Sequence, residues 1–342
     1  MSDAHHHLTP FDTGSAPAVV VTRAGIVESE HFLRHALARP DGTIVSSVGD
    51  IDGPAFMRSS AKPLICAAVV ASGAADHFGF TDQELAVASG SHSGEPYHVA
   101  AVRSMLAKIG LSARALACGP HPPLHEPSAK ALAAAGEAPG AIHNNCSGKH
   151  AAILALAVFR GAPPDGYLAA DHPAQVEILK GCAALLSLAP DSMAVGVDGC
   201  GIPVIGVPMR AAAVCFARFS EPERFPAAWR EPIRRVVGAM VAFPQYVAGT
   251  GRFDTDLMEA GAGAIACKGG AEGYHATAAL AQRLGMTVKV ADGNYRAIGP
   301  FVTKALAQHG VLSRAQTDAL ARHAEPKIKN YAGTVVGEIV AR

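Results

Sequence analysis

Apolar and polar positions alternate in short blocks at both ends of the chain and run together in its middle. Residues 18–22 and 26–30 read as extended, and Arg39-Pro40-Asp41-Gly42 is a turn signal ahead of 43–48. This pattern predicts an N-terminal antiparallel meander. Met57 to Pro63 then opens an apolar helix that runs to about Ser72 and stops at Gly73. Thr81-Asp82-Gln83-Glu84 has capping-box spacing and predicts a short helix over 83–88. A loop at 89–94 follows, then a helix over 96–109 ended by Gly110.

From Gly119 to Pro127 the chain is Pro-rich and loop-like, and then Ala-rich and helical. The polar string 143–150 sits directly before 151–159, which is apolar on every side, the pattern of a loop feeding a buried helix. Helices are expected at 172–188, 209–218 and 227–242, with short strands on either side of Asp198-Gly199-Cys200-Gly201. Strands at 262–267, 273–279 and 286–290 precede helices at 295–308 and 315–323 and a last strand at 333–340. Strands at both ends with helices between predict an α/β (α+β) fold, with one antiparallel sheet from both termini. The sheet region is about 18–58 and 262–342, the mainly helical region is about 59–261, and residues 1–17 read as a mobile tail.

Composition narrows the function. The 342 residues carry 29 Lys+Arg against 29 Asp+Glu, and only 17% are charged, so no basic footprint for nucleic acid exists. The longest apolar stretches fall short of the ~20 residues of a membrane span, and the N-terminus lacks a signal-peptide pattern. Seven scattered cysteines argue against a disulfide framework, so the expected compartment is the cytoplasm. His5, His6 and His7 read as tail residues.

Four segments carry candidate chemistry. Ser59-x-x-Lys62 at a helix start places both side chains on one face, where a neutral lysine can take a serine proton; alone, Ser59 is as well read as an N-cap. Ser89-Gly90-Ser91-His92-Ser93-Gly94 offers hydroxyls among glycines, or an ordinary interhelical loop. Cys146-x-x-Lys149-His150 and Cys200 supply one cysteine from each of two segments. With His143, His150 or a deprotonated Lys149 as third ligand they could complete a tetrahedral zinc site; otherwise they are buried cysteines in tight turns. Lys268-Gly269-Gly270 between two expected strands can aim a lysine into a cleft or form a plain turn. Segments 252–256 and 290–294 have turn and cap roles by default.

Arg-Ser-Ser-Ala-Lys-Pro at 58–63, the 89–98 loop, His-Asn-Asn-Cys-Ser-Gly-Lys-His at 143–150, Val-Asp-Gly-Cys-Gly at 197–201 and the Lys268 turn occur in this order. Together they resemble the rhizobial-type L-asparaginases, the asparaginase II-like family, from about Ala18 to the C-terminus. The resemblance implies a serine β-lactamase-like fold and two Ser–Lys pairs, Ser59 with Lys62 and Ser91 with Lys268. It further implies zinc held by Cys146, Lys149 and Cys200, substrate contacts at Arg58, His150 and Asp198, and a homodimer. Where penicillin-recognising enzymes have Lys-Thr-Gly, this chain has Lys268-Gly269-Gly270, without the hydroxyl.

The expectation is hydrolysis of L-asparagine to L-aspartate and ammonia through a serine acyl-enzyme. A serine-dependent glutaminase, a β-lactam-active hydrolase and a zinc-hydroxide amidohydrolase are the alternatives among enzymes. A zinc-stabilised amino-acid-binding protein is the alternative outside them.

Overall fold

The structure, a computed structural model, describes residues 12–14 and 16–342. The three tail histidines lie outside the described residues. Strands β1 (Val19–Arg23) and β2 (Ile26–His31) form the predicted hairpin, followed by β3 (Leu33–Ala38), β4 (Ile44–Val48) and the short β5 (Pro54–Phe56). In the middle of the chain come β6 (Ala194–Val197) and β7 (Pro203–Pro208), and then β8 (Ile265–Gly270), β9 (Tyr274–Ala279) and β10 (Leu284–Val290). The chain closes with β11 (Lys327–Lys329) and β12 (Val335–Ala341).

Both termini build sheet, all of it antiparallel, but it is divided where a single sheet was expected. A four-stranded sheet has the order β11-β12-β1-β2 and a five-stranded one the order β4-β3-β10-β9-β8. The break falls at Phe32, between β2 and β3, whose carbonyl accepts a hydrogen bond from Ala291 N at 2.8 Å. Strands β3, β8, β9 and β10 are buried along their whole length. A sheet covered on both faces reads as a continuous small-apolar run, which is why these segments lack strict alternation. Helix Met209–Ala217 packs on β10 and β3. Gly285 in β10 permits this approach, since a Cβ there would run into Ala213 O and Ala217 N.

The middle is mainly helical. Helix Lys62–Ala71 packs against helices Ala227–Ala242, Pro173–Leu186 and Ser147–Phe159. Its nine residues Lys62 to Val70 are all buried. Ile153, Leu154 and Leu156 of Ser147–Phe159 are 0% exposed, each contributing roughly 1.5–3 kcal/mol by burial. Helix Asp82–Ala88 carries the expected capping box: Thr81 N donates to Glu84 Oε2 at 2.7 Å and Glu84 N to Thr81 Oγ1 at 3.3 Å.

Three boundaries differ from the sequence reading, one of them β8, expected at 262–267 but running Ile265–Gly270, so that Lys268, Gly269 and Gly270 are paired strand and not a turn. Ser147–Phe159 begins four residues before the apolar run, because Ser147 to His150 face the interior instead of solvent. The helix expected at 315–323 is two, Arg314–Ala319 and Ala321–Ala324. The middle also holds a third sheet, of order β5-β7-β6. Its β6–β7 turn carries Asp198 to Gly201, closed by Gly201 N donating to Asp198 O at 2.8 Å, with Gly201 at φ +90° where a side chain would be strained.

Candidate active site

Five chain segments border one cleft of about 240 Å³, and three of them carry the candidate residues. The 3-10 turn Arg58–Ala61 supplies Arg58 and Ser59, the start of helix Ser147–Phe159 supplies Asn145 and Cys146, and the β6–β7 turn supplies Asp198 and Cys200. A roomier groove of about 560 Å³, lined by Arg114, Leu168 and Val197, includes none of the candidate serines, lysines or cysteines. Ser59, Cys146 and Cys200 line the smaller cleft, while Lys62 and Lys149 line an enclosed space that shares Arg58 and Asp198 with it.

Ser59 is half-buried in the cleft wall, preceded by Arg58 at φ +50°, a left-handed backbone for a residue with a side chain. Such strain persists only where the surroundings hold it. Here Arg58 Nε donates to Asp198 Oδ1 at 2.8 Å, and the next residue but one, Ser60, donates its Oγ to Lys268 O at 2.6 Å. Burial works against the Asp198 carboxylate, but Lys149 and Arg58 beside it outweigh that and hold its pKa below the usual range.

The hydrogen bonds regroup the two expected Ser–Lys pairs. Lys62, one residue past the 3-10 turn, donates to Ser91 Oγ at 2.8 Å, Gly90 O at 2.7 Å and Asn145 O at 3.3 Å. Burial, joined by the Lys149 and Lys268 charges and opposed by Cys146, pushes the Lys62 pKa down to about 8. Ser91 is 6% exposed and reaches this position because Gly90 lies against the 246–247 backbone, where a Cβ would meet Val247 O at 2.5 Å.

Lys268 is turned instead to Asp254, 3.3 Å away, and to Gly269 O at 2.5 Å. Spacing along the chain reveals Ser59 and Lys62 as neighbours on one face. It is blind to the packing of the 89–94 loop over Lys62, and to the helix Phe253–Ala260 that brings Asp254 to β8.

The three expected metal ligands also meet. Lys149 Nζ donates to Cys200 Sγ at 2.9 Å. A hydrogen bond from the Cys200 thiol, with Lys149 and Lys62 nearby, makes Cys146 the more acidic thiol of the pair; Cys200 is pushed up. Cys146 also occupies the N-terminal cap position of its helix, where negative charge is favoured. Burial disfavours the Lys149 ammonium, but Cys146 and Cys200 outweigh it and hold its pKa above the ordinary value. Two sulfurs and one amine, Cys146 and Lys149 from one helix start and Cys200 from the β6–β7 turn, fit a zinc donor set, on condition that Lys149 gives up its proton.

His150 takes a different place. It is fully buried, with Nδ1 2.6 Å from Tyr167 Oη, and it is not among the residues of the cleft wall. His121, which the sequence reading did not single out, lines the cleft and accepts a hydrogen bond from Asn145 N at 2.9 Å. Asp254, read from sequence as a turn or cap residue, is 4% exposed and is a buried counter-ion. A carboxylate that ends up buried in so weakly charged a chain carries no local mark in the sequence.

No curated protein matches the chain in a sequence search. Among solved structures, it resembles Mglu in its native form at 17% identity, with a TM-score of 0.38, covering 89% of this chain and 68% of that one. Mglu in its glutamate form matches at 16% identity and a TM-score of 0.37, over 82% of this chain. The chain spans 61% of the length of that structure. Likeness at this level decides nothing about substrate. The sequence pattern described as L-asparaginase II matches residues 19–341, nearly the whole chain, and the protein belongs to that family.

Proposed function

We propose that the protein hydrolyses L-asparagine to L-aspartate and ammonia through a serine acyl-enzyme. Family membership makes it an amidase-type hydrolase with a small-molecule substrate. The observation that carries the finer reading is the buried Lys62–Ser91 hydrogen bond one turn along from Ser59 in the cleft wall.

In this reading Ser59 Oγ adds to the side-chain carbonyl carbon of asparagine, and its proton passes to Lys62, which Ser91 orients. The adduct expels ammonia as Lys62 returns the proton. Water, deprotonated by the same lysine, then releases aspartate. Ser59 is assigned the attack because it lines the cleft, whereas Ser91 is enclosed. Arg58 suits the substrate α-carboxylate and Asp198 its ammonium.

Zinc on Cys146, Lys149 and Cys200 belongs to the same proposal. When bound, it would order the two cysteine-bearing turns beside the substrate and polarise a nearby oxygen. Because both cysteines line the same cleft as Ser59, a metal-dependent amidohydrolase is the second reading. A homodimer in the cytoplasm completes the proposal on the family resemblance, and sedimentation tests the dimer.

The deciding experiment is ammonia release by the wild type, Ser59→Ala and Cys146→Ala on asparagine, glutamine and a chromogenic β-lactam. Wild-type turnover retained by Ser59→Ala rejects the acyl route. Loss in Cys146→Ala alone, restored by excess zinc, selects the metal reading.

A further inference from the structure

Lys268 is 1% exposed within β8, and the groups facing it come from several elements. Asp254 on helix Phe253–Ala260 accepts from Lys268 Nζ at 3.3 Å and from Gly269 N at 2.7 Å through the same oxygen, Oδ2. Its other oxygen accepts from Tyr295 Oη at 3.4 Å and lies 3.3 Å from His275 Nε2 on β9. Arg252 precedes that helix, Cys267 adjoins on β8, and Lys62 faces Lys268 from helix Lys62–Ala71. The Lys268 carbonyl, in turn, accepts the Ser60 hydroxyl at 2.6 Å. Asp254 is thus joined through Lys268 to the strained turn that carries Ser59.

Two alternative uses of this cluster fit less well. Asp254, Cys267 and His275 place their donor atoms within 4.8 Å of one another, a spacing open to a metal ion. Lys268 already supplies the positive charge there, and burial pushes the Cys267 thiol far up, away from the thiolate a metal needs. As a base toward Ser91, Lys268 would have to leave its carboxylate and face a hydroxyl whose hydrogen bond goes to Lys62.

We propose that Lys268 serves as a fixed cation clamped by Asp254 behind the Ser59 turn, with Asp254 as its positioning residue, and not as a proton acceptor for Ser91. This rests on the serine-hydrolase reading above. Burial, joined by Arg252, lowers the Lys268 pKa overall; the Asp254 carboxylate, itself held ionised mainly by Lys268 against its own burial, opposes that fall. Asp254→Asn keeps an oxygen for Gly269 N and removes the charge, with its amide nitrogen in place of the oxygen beside Tyr295 and His275.

The two roles shift different limbs of the pH profile. A fixed cation that loses its counter-ion deprotonates sooner, so the alkaline limb of kcat for Asp254→Asn moves down by about one pH unit or more. A base that loses its counter-ion becomes available sooner, so the acid limb moves down instead, and that result overturns the proposal. Lys268→Arg should keep kcat within about 10-fold if only the charge matters; complete loss in a folded Lys268→Arg protein argues for the base.

A measurement on the wild-type protein needs neither turnover nor a variant that folds well. With 13Cε-lysine labelling, the Lys268 signal, assigned by its absence in Lys268→Arg, should remain that of an ammonium through about pH 9. Deprotonation below about pH 8 refutes the fixed cation. If asparagine is not hydrolysed at all, the functional reading fails while this titration still decides the charge of Lys268.

Discussion

Lys62 Nζ lies 2.8 Å from Ser91 Oγ although 29 residues separate them in sequence. The amine is held from three sides, by Gly90 O, Ser91 Oγ and Asn145 O, each from a loop that precedes a helix. Along the chain Lys62 lies three residues from Ser59, at the end of the turn that carries that serine.

The two serines should therefore differ in kind. Ser59→Ala should lower kcat about 1,000-fold or more and abolish any acyl-enzyme seen by rapid-quench mass spectrometry. Ser91→Ala, which removes only the partner that orients Lys62, should cost about 10- to 100-fold. Equal, wild-type turnover in both variants would rule out serine chemistry.

Metal retention reports on the cysteine pair. The purified protein should contain about one zinc per chain, and Cys146→Ala or Cys200→Ala should release it and lower the melting temperature by several degrees. Lys149→Met should weaken binding with both cysteines intact, which elemental analysis separates from unfolding. A protein that takes up no zinc on reconstitution contradicts the assignment.

Two buried histidines should make the fold acid-sensitive. Burial lowers His35 and His98 to about 4. The neutral His98 ring is built in: Nδ1 accepts from Glu95 N at 3.2 Å and Nε2 lies 2.8 Å from Gln245 O. Unfolded histidine titrates near ~6.5, so below that pH the unfolded state takes up protons that the native state refuses. Stability from these residues is complete above about pH 6.5 and falls as the pH drops toward 4. Urea midpoints at descending pH should show the loss, and His98→Gln should flatten it; a midpoint that holds steady across the window would contradict this.

Two glycines make a paired test of packing. A Cβ at Gly148 would meet Val87 O at 2.5 Å, so Gly148→Ala must push the helix carrying Lys149 off helix Asp82–Ala88. It should cost about 1–3 kcal/mol in thermal melts and reduce turnover as well. Gly238, inside helix Ala227–Ala242, has open space around its Cβ position, so Gly238→Ala should stabilise by roughly 0.5–1 kcal/mol. Equal effects would mean that helix propensity, and not the close approach, governs both sites.

Much of this protein is legible from local pattern. Helix Ala227–Ala242 begins and ends where its pattern says, and the Thr81–Glu84 capping box forms as its spacing requires. The strings around Ser59, Cys146 and Cys200 mark three walls of the cleft, since each combines reactive side chains with glycines or a helix start, while His121 and Ala271 border it without such a mark. These features depend on residues a few positions apart, where backbone geometry alone sets the neighbours.

Tertiary packing decided the rest. Helix Ser147–Phe159 starts early because Ser147 to His150 point inward, which no polarity pattern discloses. His150 turns to Tyr167 and not to the cleft, and Lys268 turns to Asp254 and not to Ser91. A buried cation goes to whichever buried anion the packing of distant segments brings within reach, because desolvation makes any other arrangement costly. The chain by itself determined which chemical groups were present and the turns that display them. Which amine faces which hydroxyl is a property of how the helices stack.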